Sequence, residues 1–304
     1  MNFDGNLDYS ILSDDVTVYD DTTPEQVLER IQGAAVVVTK EMPVSGDLIR
    51  QFPDSVKIIC EAGTGYNNID LAAAREKGIL VSNVPSYSSQ RVAHTAIMMI
   101  LNLSSTMQTQ MKMLAHGNHD NFTKNLQVPL VEVNGKTLGI IGAGNIGRAV
   151  IKIAKALDME ILVYTRTPRA DEDGIRYVDL ETMLKNSDYV SLHCPLTPQT
   201  RHIINKETIA MMKPSAFLIN TSRGALVDEP ALIEALQNHV IAGAALDVQE
   251  TEPPVEDNPL YTLDNVILTP HMGWKGLETR QRLVSILAGN VHSFFDGCPT
   301  NVVS

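Results

Sequence analysis

Four polar residues suited to ligand chemistry stand just after apolar runs in the second half of the chain. Arg223 follows "AFLINTS", Asp247 and Glu252 follow "AGAAL", and His271 follows "NVILTP". Histidine exchanges a proton near neutral pH, a nearby carboxylate favours the imidazolium, and a guanidinium can grip a carboxylate through two hydrogen bonds. If these runs are parallel strands, all four residues lie at the ligand-binding edge of one sheet. Taken singly, each could instead be a solvated loop acid, a core histidine or a helix-capping arginine.

A glycine pattern upstream predicts a dinucleotide site. Gly142, Gly144 and Gly147 form GxGxxG in "TLGIIGAGNIGRAV", between an apolar strand and an amphipathic helix. The first glycine permits a tight turn, the second lets backbone approach a pyrophosphate, and the third lets helix and strand pack closely. The apolar face of the helix is expected to consist of Ile146, Val150, Ile153, Ala154 and Leu157.

The end of the following strand, "EILVYTRTPR", bears on which dinucleotide binds. NAD enzymes usually place an acid there for the ribose hydroxyls, but this chain has Thr165 followed by Arg166 and Arg169. Arginine suits a 2′-phosphate, and the missing acid removes a repulsion. The pattern favours NADP over NAD; the alternative is that both arginines are merely solvated.

The elements that must position these residues alternate between β-branched runs and helical stretches. Residues 16–20, 34–40, 57–63 and 78–84 are expected to be strands, with Pro24 and Ser45 as helix starts and Gly78 as a helix end. A long helix is predicted over 88–116, followed by a polar irregular segment, then six more strands with helices between them. Asp228 is a predicted N-cap, and a closing helix is expected over 276–295.

This order predicts an α/β fold of two doubly wound parallel-sheet domains, a Rossmann cofactor domain and a smaller flavodoxin-like substrate domain. The substrate domain is expected to comprise 1–93 and 277–304, and the cofactor domain 94–276. The active site is expected in the cleft between them.

Composition excludes several classes of function. The 304 residues are 44% hydrophobic and carry a net charge of −12, which disfavours nucleic acid as a partner. No window resembles a membrane span, and no bound metal is expected. The three cysteines, Cys60, Cys194 and Cys298, are widely spaced, which indicates a reducing cytoplasm.

Several long motifs in one order, together with "GAGNIGRAV", resemble the D-isomer-specific 2-hydroxyacid dehydrogenase family over nearly the whole chain. They are "HCPLTPQTRHIIN", "INTSRGALVDEPALIEAL", "GAALDVQETEPP" and "LTPHMGW". The resemblance implies that Arg223 binds the substrate carboxylate, that Glu252 pairs with the catalytic histidine, and that His271 is the general acid/base. It also implies that Asp247 contacts the nicotinamide amide.

Further site residues follow only from this resemblance. "AGTGYNNID" is similar to the substrate loop of the family, with amides around Thr64 and Gly65, and "NVPSYSS" places Tyr87 near the substrate. With the glycines, Thr165 and the two arginines already derived from the pattern, the full predicted set of cofactor-binding residues is Gly142, Gly144, Asn145, Ile146, Gly147, Thr165, Arg166, Thr167, Arg169, His193, Pro195, Thr200, Thr221, Ser222, Asp247, His271 and Gly273.

The tail after Trp274 and the "RTPR" stretch are similar to the glycerate dehydrogenase and hydroxypyruvate/glyoxylate reductase branch. That likeness implies NADPH-dependent reduction of a small 2-keto acid to the D-2-hydroxy acid, by a homodimer. One alternative is a cofactor-sensing binding protein, like the corepressors that share this fold. Another is a dehydrogenase for a different 2-keto acid, including a sugar acid or a phosphorylated one, although Glu61 would repel a phosphate.

The sequence departs from the family pattern in two places. His94 in "RVAHTA" replaces the usual acid and is expected to be a partly exposed helix residue. The family also begins with a strand ahead of the segment that "MNFDGNLDY" resembles, so we expect the native start to lie upstream of Met1.

Overall fold

The computed structural model describes all residues, Met1–Ser304, and they form two compact units. The smaller unit contains Met1–Ser88 and Trp274–Ser304, and the larger unit contains Ser89–Gly273. The domain ends expected from the sequence, residues 93 and 276, fall a few residues later.

The elements are numbered in chain order. The helices are α1 (Pro24–Arg30), α2 (Gly46–Arg50), α3 (Leu71–Glu76), α4 (Ser89–Ser105), α5 (Met107–Ala115), α6 (Asp120–Thr123), α7 (Asn145–Ala156), α8 (Leu180–Asn186), α9 (Lys206–Ile209), α10 (Glu229–Gln237) and α11 (Leu277–Phe295). The strands are β1 (Val36–Thr39), β2 (Ile58–Glu61), β3 (Leu80–Ser82), β4 (Thr137–Ile141), β5 (Glu160–Tyr164), β6 (Arg176–Tyr177), β7 (Tyr189–Leu192), β8 (Phe217–Asn220), β9 (Gly243–Leu246) and β10 (Val266–Leu268).

The smaller unit is built on a three-stranded parallel sheet in the order β1-β2-β3. The side chains of β2 are fully buried, as expected for a central parallel strand. Ser45 caps α2 by accepting a hydrogen bond from the Leu48 amide at 3.3 Å, and Gly78 adopts φ +68° just after α3. These local signals were predicted from the sequence.

The strand predicted at residues 16–20 is wrong. The segment has no regular structure, and Val16, Val18 and Tyr19 are exposed. A β-branched run becomes a strand only where a neighbouring strand supplies backbone hydrogen bonds and a packed face. No strand of the sheet pairs with these residues.

The larger unit contains a seven-stranded parallel sheet in the order β10-β9-β8-β7-β4-β5-β6. The chain order reverses beside β4, between β7 and β5, which is the position where open α/β sheets bind ligands. The six longer strands and the α/β class agree with the prediction, whereas the two-residue β6 was missed. Asp228 caps α10 through the Ala231 amide at 3.2 Å, as predicted.

The single helix predicted over 88–116 is two helices. α4 and α5 are separated by Thr106, which adopts the left-handed conformation at φ +47° and donates its hydroxyl to the Pro129 carbonyl. Asn102 caps the second helix by accepting from the Gln108 amide at 3.0 Å. Apolar periodicity continues through such a one-residue break, so it does not reveal the break.

His94 is exposed on α4, as expected, and the short helix α6 lies in the segment predicted to be irregular. None of the helices combines the length and the apolar character needed to cross a bilayer.

Candidate active site

The carboxyl ends of five neighbouring strands of the larger sheet carry the residues singled out in the sequence. Gly142 follows β4, His193 follows β7, Thr221 follows β8, Asp247 follows β9, and His271 lies three residues after β10. Because parallel strands present their carboxyl ends at one edge, the topology brings these residues together.

The three glycines have different steric surroundings. Gly142 adopts φ +98°, and a Cβ there would lie 2.8 Å from the His193 carbonyl oxygen. A Cβ at Gly147 would lie 2.2 Å from the Gly142 oxygen, so both positions exclude larger residues. A Cβ at Gly144 would meet nothing within 4 Å, although this residue is the N-cap of α7. The open space in front of a helix N-terminus fits a pyrophosphate.

The turn after β5 presents two unpaired arginines. Thr165 donates its hydroxyl to the Thr167 carbonyl at 2.7 Å, which closes the turn. Arg166 and Arg169 are exposed and make no hydrogen bond or ion pair. Their guanidinium groups are free for an anionic ligand.

A nearby acid is already neutralised by another arginine. Arg148 on α7 forms two hydrogen bonds with Glu172, at 2.9 and 3.0 Å, and Tyr177 adds a third at 3.0 Å. The Arg148 bonds, the Tyr177 bond and the charges of Arg148 and Arg169 together lower the pKa of Glu172 to about 2. Since Glu172 is committed to Arg148, it does not form an ion pair with Arg166 or Arg169.

Two buried polar atoms at this sheet edge have no partner. His193 is 8% exposed; its Nε2 lies 2.8 Å from the Ser191 hydroxyl, but its Nδ1 is unbonded. Burial lowers the pKa of His193 to about 3, so the ring is neutral. The Thr221 hydroxyl is likewise buried and unbonded. Unpaired buried polar atoms are costly, so these two fit a polar ligand seated on the sheet edge.

His271 and Glu252 form a hydrogen-bonded pair. His271 Nδ1 lies 2.7 Å from Glu252 Oε2, and the Gln249 amide donates to Glu252 Oε1 at 3.0 Å. Burial opposes ionisation of Glu252, but the bond and charge of His271, the Gln249 amide and the charge of Arg223 outweigh it and lower the pKa. The carboxylate therefore orients the ring and leaves Nε2 to exchange a proton.

Asp247 holds the turn that carries His271. It is 1% exposed and accepts from the Met272 amide at 2.9 Å, the Gly273 amide at 2.7 Å and the Thr269 hydroxyl. The sequence did not predict this restraint. It placed Asp247 directly after a strand, and the family resemblance assigned the residue to the nicotinamide amide.

Arg223 is half-buried beside this pair. Its Nη1 donates to the Ser222 carbonyl at 2.8 Å, and the Asn220 amide group donates to the Arg223 carbonyl at 2.8 Å. Because the charge of Arg223 contributes to the low pKa of Glu252, the two groups are within electrostatic reach of each other. The larger unit thus brings together Arg223, Glu252 and His271.

The predicted substrate residues of the smaller unit form a local network. Thr64 donates its hydroxyl to the Val84 carbonyl at 3.0 Å, and Asn83 donates to the Thr64 carbonyl at 2.8 Å. Tyr87 is buried, and Glu61 lies beneath this loop with a pKa that burial raises. The assignment of Thr64, Gly65 and Tyr87 to substrate binding stays a prediction.

A parallel sheet with a glycine-rich turn at its switch point and a histidine–carboxylate pair at the same edge defines a dinucleotide-dependent oxidoreductase. Residues 97–273 match the model of the NAD-binding domain of D-isomer-specific 2-hydroxyacid dehydrogenases. The chain belongs to this family and is an NAD(P)-dependent D-2-hydroxyacid dehydrogenase, which confirms the family expected from the sequence.

Named relatives resemble the chain over most of its length. It is 38% identical to a hydroxypyruvate reductase of Blautia hydrogenotrophica, covering 99% of this chain and 96% of that protein. It is 40% identical to a glycerate dehydrogenase of Methylorubrum extorquens, covering 92% and 89%. An acyclic imino acid reductase solved with NADPH and D-Arg superposes with a TM-score of 0.85 at 31% identity, covering 94% of this chain and 91% of that one.

Proposed function

We propose that the protein reduces a small 2-keto acid, hydroxypyruvate or glyoxylate, to the D-2-hydroxy acid with NADPH as the preferred cofactor. The observation that carries this proposal is the His271–Glu252 pair at 2.7 Å with Arg223 beside it. The names of the hydroxypyruvate reductase and glycerate dehydrogenase relatives support this substrate class.

Each residue of this group has a separate role in the reduction. Arg223 binds the carboxylate of the keto acid and so places the neighbouring carbonyl. His271 Nε2 gives a proton to the carbonyl oxygen as negative charge develops on it. Glu252 stabilises the imidazolium before transfer and keeps Nδ1 engaged afterwards. The reduced nicotinamide, when bound, supplies the hydride to the keto carbon.

Residues of the larger unit would hold this cofactor. The open backbone at Gly144 and the N-terminus of α7 suit the pyrophosphate, and His193 and Thr221 offer unbonded polar atoms. The other members of the predicted cofactor set, including Asn145, Pro195 and Thr200, remain part of the same proposal.

NADPH preference rests on the free guanidinium groups of Arg166 and Arg169. We expect Arg166→Ala/Arg169→Ala to lower the NADPH-to-NADH ratio of kcat/KM at least about 100-fold, since charge-assisted hydrogen bonds contribute about 1.5–3 kcal/mol each. Arg176→Ala is the matched control, because Arg176 is another exposed arginine of the same sheet. It begins β6 opposite Leu162, whereas Arg166 and Arg169 follow the carboxyl end of β5. Equal use of NADH by wild-type enzyme would refute the preference.

The substrate is tested with hydroxypyruvate, glyoxylate and 3-phosphohydroxypyruvate under the same conditions. The absence of basic residues in 61–70, which could otherwise bind a phosphate, favours the first two over the phosphorylated acid. If the phosphorylated acid is reduced best, the proposed substrate class is wrong. If no 2-keto acid is reduced with either cofactor, the alternative of a cofactor-sensing binding protein replaces the reductase.

We further infer a homodimer in the reducing cytoplasm. The resemblance to the family and an exposed apolar surface over α4–α6 support the dimer, and the three scattered free cysteines support the location. That surface contains Met98, Leu101, Met107, Met111, Leu114 and Phe122.

A further inference from the structure

Glu250, which the reaction does not use directly, is bound to an arginine and a histidine side chain. Its Oε1 accepts from Arg201 Nη2 at 2.7 Å and lies 2.9 Å from His202 Nε2. Burial opposes ionisation of Glu250, but the hydrogen bond and charge of His202, the Glu229 contact and Arg201 outweigh it and lower the pKa. The carboxylate is therefore charged. Its side chain is 23% exposed, so solvent screens these interactions only in part.

The backbone around Glu250 is held on two further sides. The Glu250 amide donates to Glu229 Oε2 at 3.0 Å, while the other oxygen of Glu229 accepts from Asn258 at 2.8 Å. Gln249 packs so closely on Gly224 that a Cβ there would lie 1.9 Å from the Gln249 oxygen. Gly224 is the residue next to Arg223.

Gln249 also connects Glu250 to Glu252. Its amide donates to Glu252 Oε1 at 3.0 Å, and Glu252 Oε2 pairs with His271. A shift of the 249–250 backbone would therefore move the donor that fixes one oxygen of the catalytic carboxylate.

Arg201 and His202, the two partners of Glu250, follow the turn assigned to the cofactor. Thr200 donates its hydroxyl to the Pro195 carbonyl at 2.7 Å, and the Arg201 amide donates to the Thr197 carbonyl at 2.9 Å. The His202 amide donates to the Ala225 carbonyl at 2.9 Å, two residues beyond Arg223. The pair Arg201–His202 thus lies between the cofactor turn and the segment that carries Arg223.

We propose that Glu250, which is hydrogen-bonded to Arg201 and His202, is a positioning residue. It holds the Gln249–Glu252 loop against the cofactor turn and thereby fixes the position of the Glu252 carboxylate. The inference rests on the proposed role of Glu252. Glu250 touches neither the keto acid nor the reacting atoms; it acts through the backbone amide of Gln249.

The experiment compares Glu250→Ala, Glu250→Gln and the control Glu256→Ala. Glu256 is exposed in the same connection and makes no hydrogen bond or ion pair. Glu250→Ala is expected to lower kcat about 10- to 100-fold with a KM change of less than about threefold, because small misplacements of catalytic groups are costly. Glu250→Gln keeps an oxygen acceptor and is expected to retain most of kcat.

Hydrogen exchange of residues 247–258, measured in the protein without cofactor, provides a readout that does not need activity. Glu250→Ala is expected to speed exchange in this segment, and Glu256→Ala is not. Arg201→Ala removes one partner through a side chain that is 54% exposed, so it tests the same link without endangering the fold. A smaller change in the same direction is expected for this variant.

Unchanged kcat and exchange in both Glu250→Ala and Arg201→Ala would overturn the proposal. So would a Glu250→Gln variant as impaired as Glu250→Ala, or a loss of kcat that only parallels a loss of cooperative unfolding. An inactive wild-type enzyme with slow exchange at 247–258 that Glu250→Ala accelerates would reject the proposed function and leave the restraint itself established.

Discussion

The buried, neutral ring of His193 should make the stability of the protein depend on pH. Its Nε2 is hydrogen-bonded to Ser191, its Nδ1 is unbonded, and no acid is near enough to stabilise a charged ring. Burial alone lowers the pKa from 6.5 to about 3. Replacing the ring by a group that does not titrate, as in His193→Gln, should remove this dependence.

The direction and magnitude of this pH dependence follow from the linkage between proton binding and unfolding. Below pH 6.5 the unfolded chain binds a proton at this histidine and the folded protein does not, so the free energy of unfolding falls as the pH falls. The contribution is intact above the unfolded pKa and is lost towards the folded pKa of about 3. Between pH 7.5 and pH 5.5 the loss from this one group is about 1.4 kcal/mol, since one pKa unit corresponds to about 1.4 kcal/mol.

The assay is urea unfolding of wild type and His193→Gln at pH 7.5, 6.5 and 5.5, at fixed ionic strength. Other groups titrate in both proteins, so the quantity of interest is the difference between the two curves. The free energy of unfolding of wild type minus that of His193→Gln should fall by about 1.4 kcal/mol between pH 7.5 and pH 5.5. Parallel curves would refute the assignment of a buried neutral histidine at this position.

Three further predictions concern catalysis, cofactor binding and assembly. His271→Gln should lower kcat for reduction about 100- to 10,000-fold with little change in KM, in steady-state assays; unchanged kcat would exclude His271 as the proton donor. Gly144→Ala should weaken NADPH binding, measured by fluorescence titration, without lowering the melting temperature, whereas Gly142→Ala should destabilise the fold because its Cβ has no room; equal effects of the two would contradict their different surroundings. Phe122→Glu should shift sedimentation towards the monomer, since the ring is 79% exposed on the proposed dimer surface; an unchanged sedimentation coefficient would place the interface elsewhere.

Local patterns predicted most of the larger unit. The strand ends that carry Gly142, Asp247 and His271 were visible because buried parallel strands are continuous apolar runs and their carboxyl ends lie at one edge. Where the prediction failed, the deciding partner was distant or the change was a single residue. Residues 16–20 carry a strand pattern but pair with no strand, and Thr106 breaks a helix whose apolar spacing is uninterrupted.

The acids of the site show why residue types alone could not assign all of the roles. Asp247, Glu250 and Glu252 lie within six positions of one another, and the sequence distinguishes them only by resemblance. Their contacts separate them: Asp247 accepts from amides about 25 residues away, Glu250 binds an arginine and a histidine almost 50 residues away, and only Glu252 faces the His271 ring. Two carboxylates thus hold backbone, while the third holds the ring that we propose as the proton donor. Such a division depends on contacts between distant segments, and it exists only once the sheet has brought the strand ends together.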